Sequence, residues 1–139
     1  AEADGVHLGQ DDLPLKEARA ILGPGRLIGI STHTLEQALA ADIEQADYLG
    51  FGPIYGTPTK PDAPPVGLSL IPELASMVSI PFFCIGGIDA ATLPDVLVKG
   101  AHGAAVVRAV CGASDPEAAT KHLKDQIAEF LRRIHPAPL

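Results

Sequence analysis

The chain has 139 residues, of which 47% are hydrophobic and 19% charged, enough apolar material to bury the core of one ordinary domain. Acidic residues outnumber basic ones by 17 to 10, which gives a formal net charge of −7 at pH 7 and excludes the broad basic surface that binds nucleic acids or anionic membranes. The sequence also holds no apolar run near the roughly 18 residues that suggest a membrane span.

Five short apolar runs are predicted to be parallel strands, at residues 5–9, 27–31, 48–52, 80–85 and 104–107. Each run is nearly continuous in apolar or small residues, which is typical of strands buried on both faces. Amphipathic stretches separate the runs and predict helices at residues 15–22, 34–46, 68–78, 91–99 and 116–133. The sequence therefore predicts an α/β protein in which strands and helices alternate.

Capping residues mark several ends of these helices. Asp89 and Asp115 are typical N-cap residues, and a proline follows the second at the first helical position. Gly23 and Gly100 are placed to end helices by adopting positive φ. No linker or charge block interrupts the pattern, so residues 1–139 are predicted to form one domain.

Two architectures fit five such units: a complete doubly wound sheet, or part of an eight-stranded barrel. In this sequence an unusual polar or glycine-rich segment follows each of the five predicted strands. The loops after barrel strands all open on one face, whereas a doubly wound sheet concentrates its functional loops near one switch point. The pattern therefore favours five βα units of a TIM (β/α)8 barrel.

The longest of these segments, residues 52–67, carries the strongest functional signal, because most βα connections take only a few residues. Thr57, Thr59 and Lys60 bring two hydroxyls and an ammonium together, a set suited to phosphate oxygens. Prolines stiffen the loop and reduce the entropy lost on binding. A proline-rich surface turn is the alternative, and we favour phosphate binding because the lysine and threonines follow a buried strand.

A second anion site is predicted after the last two strands. Gly86 and Gly87 allow backbone N–H groups to approach an anion without an intervening Cβ, and Arg108 follows the final strand. Barrels commonly bind phosphate with the loops after their last two strands. Taken singly, the glycine pair predicts only a turn and Arg108 only a solvated charge, but together they favour phosphate binding.

Two further strand ends leave their interpretation open. Asp11 and Asp12 suit Mg²⁺, which prefers carboxylate, water and phosphate oxygens, and they suit a helix N-cap or an acidic turn equally well. At the end of the second strand, Ser31, Thr32 or His33 is placed to face a substrate. Thr32 or Thr34 is equally placed to cap the next helix. His7 is interpreted as a core histidine bonded to the backbone.

The N-terminus and the cysteines indicate a compartment. The first four residues contain Glu2 and Asp4 and no basic residue, whereas a signal peptide begins with a basic segment. The two cysteines, Cys84 and Cys111, are too few for a disulfide scaffold or a cysteine-based zinc site, which fits a reducing environment. We therefore expect a soluble, cytoplasmic protein.

Six ordered segments resemble the thiamine phosphate synthase family. They are DGVHLGQDD at residues 4–12, GISTH at 29–33, YLGFGPIYGTPTK at 48–60, PVG at 65–67, IGGI at 85–88 and VVRA at 106–109. The most specific is the loop Gly-Pro-Ile-x-x-Thr-x-Thr-Lys, and the six together span nearly the whole chain. The resemblance implies a (β/α)8-barrel transferase that joins hydroxymethylpyrimidine diphosphate to thiazole phosphate and releases pyrophosphate with Mg²⁺ present.

The same resemblance implies residue roles and partners. Asp12 is expected to ligate Mg²⁺, and Ser31 and Lys60 to contact the pyrimidine diphosphate. The thiazole phosphate is expected to be held by Thr57, Thr59, Gly87, Val107 and Arg108. The implied partners are small phosphorylated molecules, with neither nucleic acid nor membrane among them.

Two departures from the family pattern shape these expectations. Arg108 stands where the family usually has a serine. The Gln-x-Arg-x-Lys segment and the Asn-Asp pair of the family's earlier strands are not in this sequence. The resemblance thus implies the C-terminal five βα units of a longer enzyme, beginning before its fourth strand. We expect such a fragment to be inactive alone and to self-associate through its open barrel edges.

Two other functions stay open. A thiazole tautomerase of the same barrel type would use His33 as an acid or base and need no metal. The loop with Thr57, Thr59 and Lys60 favours the synthase over the tautomerase. A non-catalytic, phosphate-binding barrel remnant is the third possibility, and the strands that the chain lacks relative to the family support it.

Overall fold

The computed structural model describes residues 2–58 and 63–134 and contains the α/β alternation that the sequence predicts. Five parallel strands form one sheet: β1 (Gly5–Leu8), β2 (Leu27–Thr32), β3 (Tyr48–Phe51), β4 (Phe82–Ile85) and β5 (Gly103–Ala105). Each strand lies beside its successor in the chain, in the order β1-β2-β3-β4-β5. The order has no reversal, which distinguishes this sheet from a doubly wound one.

Six helices are seen in the described residues: α1 (Leu15–Leu22), α2 (Leu35–Ile43), α3 (Ile71–Met77), α4 (Leu93–Val98), α5 (Arg108–Cys111) and α6 (Pro116–Ile134). A 3-10 turn, Leu68–Leu70, leads into α3. The helix predicted to reach residue 46 ends at Ile43, because Gln45 has a φ of +66° and leaves the helical region. No helix in the described part of the chain has the length and apolar character required to cross a bilayer.

The last predicted strand is wrong at its C-terminal end. The sequence predicts a strand over residues 104–107, whereas β5 ends at Ala105 and the apolar run continues into a short helix. Val107 takes φ −116° and ψ −70° as the residue before α5, and Arg108 is the first residue of that helix. An apolar run alone does not distinguish the end of a strand from a turn into a helix.

The predicted capping residues lie where helices begin and end. Asp115 Oδ1 accepts a hydrogen bond from the Ala118 N–H at 2.9 Å, which confirms it as the cap of α6. Gly23 and Gly100 have φ of +77° and +108°, as predicted. Asp89 Oδ1 accepts hydrogen bonds from the Ala91 and Thr92 N–H groups and so caps the turn that precedes α4. The helix itself begins at Leu93 and not at the predicted residue 91.

One face of the sheet, called here the covered face, packs against helices and holds the core. Its alternate strand positions are fully buried and apolar: Ile28, Leu49, Phe51, Phe82 and Cys84. Helix residues Leu74 and Val96 belong to the same buried cluster. Burial raises the pKa of the Cys84 thiol to about 12, so this cysteine is an inert part of the core.

The other face, called here the exposed face, carries a different set of side chains. Leu27, Phe83 and Ile85 remain 53%, 36% and 40% exposed. His7 lies on this face in register with Gly29 of β2, which in turn lies beside Tyr48 of β3. The exposed face is therefore a strand surface on which polar and aromatic groups lie close to glycines.

Candidate functional site

The segments that follow β2 to β5 meet around one cavity of about 430 Å³, called here the strand-end cavity. Five of the residues predicted to bind substrate line it: Ser31, Thr57, Gly87, Val107 and Arg108. Thr59 and Lys60 lie outside the described residues. Because the carboxyl ends of parallel strands meet at one edge of a sheet, residues distant in sequence converge there.

The turn after β4 forms one wall of this cavity. Gly86 and Gly87 have φ of +96° and +65°, a region that side chains other than glycine's rarely adopt. A Cβ on Gly87 would lie 2.6 Å from the Tyr55 Cβ, so the turn also needs glycine for space. The Ile85 carbonyl, at the end of β4, accepts a hydrogen bond from the Ile54 N–H at 2.8 Å. The Gly86 carbonyl accepts one from the Tyr55 N–H at 3.0 Å, and the two bonds attach the turn to the loop after β3.

Two opposite charges flank the cavity at its β4 and β5 sides. Asp89 and Arg108 both line it. A hydrogen bond from the Thr92 backbone, supported by others from Ala91 and the Thr92 hydroxyl and by the charge of Arg108, holds the pKa of Asp89 below its ordinary value. The Asp89 carboxylate already accepts hydrogen bonds from the backbone of the chain. Arg108 is therefore the member of this pair that is suited to an incoming anion.

Ser31 lies at the β2 side of the cavity and is held by one side chain from β1 and one from the turn after β1. His7 Nε2 lies 2.9 Å from Ser31 Oγ, and His7 Nδ1 lies 3.0 Å from the Tyr48 hydroxyl. The Gln10 side-chain amide donates to the Ser31 carbonyl at 2.6 Å. The sequence interpretation of His7 as a core residue bonded to backbone is wrong, since both of its ring nitrogens meet side-chain oxygens.

His33 lines the cavity next to Ser31. Its Nδ1 donates to the Gly52 carbonyl, which can only accept, so the neutral ring carries its proton on Nδ1 and leaves Nε2 as an acceptor. The backbone N–H of His33 donates to the Gln37 side chain at 2.8 Å. Of the two threonines weighed as helix caps, Thr34 caps α2, while the buried Thr32 donates to the Gly50 carbonyl.

Asp12 is separate from the strand-end cavity and lines a smaller hollow of about 280 Å³ beside Gln10. Its Oδ2 accepts a hydrogen bond from the Gly9 N–H at 2.7 Å. The N-cap interpretation is wrong, because Pro14 precedes α1 and no side chain caps that helix. Asp12 therefore closes an acidic turn directly after β1.

The donor set around Asp12 tests whether Mg²⁺ fits there. Across residues 2–58 and 63–134, no three His, Cys, Asp or Glu side chains cluster closely enough to hold a metal ion. Mg²⁺ commonly takes one or two carboxylates and fills its remaining positions with water and substrate phosphate. The exposed carboxylate of Asp12 fits that mode of binding, and its surroundings do not fit an all-protein metal cage.

A family model and individual relatives in the sequence comparison indicate the same family. Residues 1–110 match the family model described as thiamine monophosphate synthase. The chain is 50% identical over 131 residues to the thiamine-phosphate synthase of Methanocella arvoryzae, a match that covers 94% of this chain and 62% of that protein. It is 53% identical over 127 residues to the thiamine-phosphate synthase of Synechococcus sp. (strain CC9311), covering 91% of this chain and 36% of that protein.

The fold gives the same result. The structure is similar to that of a thiamine phosphate pyrophosphorylase from Pyrococcus furiosus, with a TM-score of 0.87 and 41% sequence identity. That match covers 94% of this chain and 62% of the other. The chain thus spans less than two thirds of the length of each of these three proteins.

Proposed function

The chain belongs to the thiamine monophosphate synthase family, and we propose that it contributes to a thiamine phosphate synthase, a transferase of thiamine biosynthesis. The reaction couples hydroxymethylpyrimidine diphosphate to thiazole phosphate and releases pyrophosphate. The observation that carries the proposal is the strand-end cavity, where hydroxyls, a glycine turn and a guanidinium converge from four strand ends. Phosphate binding needs such a set of donors with little steric hindrance.

We further propose that residues 1–139 form one domain and supply five βα units of a TIM (β/α)8 barrel. Two observations support this: the sequential order of the strands and the exposed face of the sheet. Among the described strands, β1 and β5 each pair on one side only, so further strands have edges on which to add. The same edges are expected to drive self-association of the chain on its own.

In the proposed mechanism the chain binds and orients two phosphorylated substrates. The thiazole phosphate is held by Arg108, by Thr57 and Thr59, and by the backbone at Gly87 and Val107. The pyrimidine diphosphate is held by Ser31 and Lys60. The thiazole nitrogen then forms a bond to the pyrimidine methylene carbon, as the bond from that carbon to the diphosphate oxygen breaks. Positioning and charge stabilisation account for the rate, and no protein nucleophile takes part.

Charge on the departing pyrophosphate must be neutralised. Mg²⁺ bound at Asp12 would supply a hard positive charge to the diphosphate oxygens. Lys60 adds a charge-assisted contact to the same group. Apolar cavity residues Ile85 and Val107 limit the water that competes with the thiazole for the reactive carbon. Small phosphorylated substrates and a cytoplasmic location complete the proposal.

The first experiment measures pyrophosphate release from both substrates by the chain alone and by a completed chain. In the completed chain, the segment of the Methanocella arvoryzae relative that precedes the region of similarity is joined before residue 1. Release only by the completed chain is expected. Isomerisation of the thiazole without pyrophosphate release would instead favour the tautomerase, in which His33 acts. Binding of thiazole phosphate without turnover would favour a non-catalytic remnant.

The metal assignment is tested with a matched pair of variants in the completed chain. Asp12→Asn keeps the shape of the side chain but removes the charge that attracts a hard cation, so the Mg²⁺ concentration for half-maximal activity is expected to rise. Asp11→Asn changes the adjacent carboxylate in the same way and is expected to leave the titration unaltered. An unmoved Mg²⁺ titration for Asp12→Asn would reduce this residue to a turn-closing role.

A further inference from the structure

Three side chains from neighbouring strands form a hydrogen-bonded row on the exposed face, called here the Tyr48–His7–Ser31 row. The Tyr48 hydroxyl lies 3.0 Å from His7 Nδ1, and His7 Nε2 lies 2.9 Å from Ser31 Oγ. The rings of His7 and Tyr48 are also 5.4 Å apart between centroids. The row ends at Ser31, which lines the strand-end cavity.

The row depends on a glycine between its members. His7 and Tyr48 belong to β1 and β3, and the residue that lies between them in register is Gly29. A Cβ on Gly29 would lie 2.1 Å from the Tyr48 Cζ and 2.5 Å from His7 Nδ1. The missing side chain therefore lets an imidazole and a phenol meet across an intervening strand.

The chemistry of the three groups sets the direction of the hydrogen bonds. A neutral imidazole has one N–H donor and one nitrogen acceptor, so it must accept from one neighbour and donate to the other. The phenol is much more acidic than an aliphatic hydroxyl, and is therefore the better donor to a basic nitrogen. The favoured arrangement has the Tyr48 O–H donating to Nδ1 and the Nε2–H of His7 donating to Ser31 Oγ.

We propose that Tyr48 and His7 are positioning residues that fix the Ser31 hydroxyl as a donor into the strand-end cavity. Because Ser31 Oγ accepts from His7, its own hydrogen is directed away from the row. Ser31 is thereby matched to an acceptor atom, an oxygen or ring nitrogen, of the ligand at the β2 side. The identity of that ligand as the pyrimidine diphosphate rests on the proposed function, whereas the direction of the row does not.

His33 provides an internal reference for the first test. Its Nδ1 donates to the Gly52 carbonyl, so its neutral ring has the opposite tautomer from the one proposed for His7. Two-bond nitrogen–proton NMR spectra of the ¹⁵N-labelled chain and of the completed chain, recorded at alkaline pH where an imidazole is neutral, separate the two tautomers. We expect protonated Nε2 at His7 and protonated Nδ1 at His33. Protonated Nδ1 at His7, or an equal mixture there, would overturn the proposal even in an inactive protein.

The second test is a double-mutant cycle in the completed chain. Tyr48→Phe removes only the phenol O–H and is expected to raise the KM for the pyrimidine diphosphate by roughly 3- to 10-fold, the effect of one hydrogen bond, with the KM for thiazole phosphate unchanged. In a Ser31→Ala background the same substitution is expected to add nothing, because Tyr48 acts through Ser31. Effects that multiply would show a merely structural role for Tyr48 and overturn the proposal.

A matched control removes a tyrosine hydroxyl outside the row. Tyr55→Phe changes the loop after β3 and is expected to leave the KM for the pyrimidine diphosphate unaltered. If neither the chain alone nor the completed chain releases pyrophosphate, the proposed function fails. The His7 tautomer still decides the positioning proposal in that case. If pyrophosphate is released and the tautomer is wrong, the proposed function stands and the positioning role is rejected.

Discussion

The covered and exposed faces of the sheet are built by the same strands but use their alternate positions differently. On the covered face the side chains are apolar and fully buried, as with Leu49 and Phe82. On the exposed face polar rings and a hydroxyl lie over glycine, as in the Tyr48–His7–Ser31 row. The comparison indicates that the covered face contributes to stability through buried volume and contact, whereas the exposed face presents hydrogen-bonding side chains in space that glycine leaves free.

Truncating a phenylalanine on each face gives the largest expected difference. Phe51 of the covered face is 0% exposed, whereas Phe83 of the exposed face is 36% exposed. Phe51→Ala leaves a cavity in the core and is expected to lower the free energy of unfolding by about 3–5 kcal/mol. Phe83→Ala removes less buried area and is expected to cost about 1–2 kcal/mol. Urea denaturation measures both, and equal losses would contradict the distinction between the faces.

A lysine that follows β3 in the sequence tests whether a charge contributes to substrate binding. Lys60→Ala in the completed chain removes a charge-assisted contact and is expected to cost about 1.5–3 kcal/mol in kcat/KM, mainly through the diphosphate substrate. Steady-state kinetics against each substrate measure the effect. Lys99→Ala, a lysine at the end of α4, is the matched control and is expected to leave kcat/KM unaltered. Unchanged kinetics for Lys60→Ala would remove Lys60 from the site.

Adding a methyl group to the exposed face tests the importance of its free space. Gly29→Ala places a Cβ 2.1 Å from the Tyr48 ring, and the displacement is expected to cost about 1–3 kcal/mol of stability. Gly25→Ala, where a Cβ meets nothing within 4 Å, is expected to change stability by no more than about 0.5 kcal/mol. Thermal denaturation compares the two. A Gly29→Ala protein as stable as Gly25→Ala would show that the exposed face tolerates side chains freely.

The covered face was largely predictable from sequence, because its signal is local. Apolar runs predict all five strands to within two residues at each end. Local signals also identify the cap at Asp115, since a capping side chain bonds to the N–H of a residue only three positions away. The predicted strand extended wrongly to Val107 because the local signal there is ambiguous. An apolar residue suits both the end of β5 and the start of α5.

The exposed face was less predictable, because its contacts depend on the register between strands. Ser31 and Arg108 could be placed at one edge of the sheet from sequence, since both follow parallel strands. The contact of His7 with Tyr48 joins residues 41 positions apart and depends on Gly29 lying between them. No periodicity within a single strand carries that information, so the contact of Tyr48 with His7 was not predicted.

Acid titration separates the two faces by the groups that ionise on each. On the covered side, Asp47 Oδ2 accepts from Arg19 at 2.5 Å and from the Ile28 N–H at 2.6 Å. Burial acts to raise the pKa of Asp47, but the bonds from Arg19 and Ile28 and the charge of Arg19 outweigh it and lower the pKa. On the exposed face, desolvation of the ring lowers the pKa of His7.

The smallest expected effect is a difference between Asp47 and His7 in the pH range over which each side chain's contribution to the free energy of unfolding is lost. Asp47 has a folded pKa below its ordinary value of 3.8, so its contribution is complete above that pH and falls as the pH drops through the folded pKa. His7 has a folded pKa below 6.5, so the unfolded ring takes up a proton before the folded ring does. Its contribution to stability is therefore complete above about pH 6.5 and falls as the pH drops below that value. Free energies of unfolding from pH 8 to 3 are expected to show Asp47→Asn flattening only the slope below about pH 4 and His7→Gln only the slope below about pH 6.5. Identical slopes for wild type and Asp47→Asn would mean that the contact with Arg19 is absent in solution.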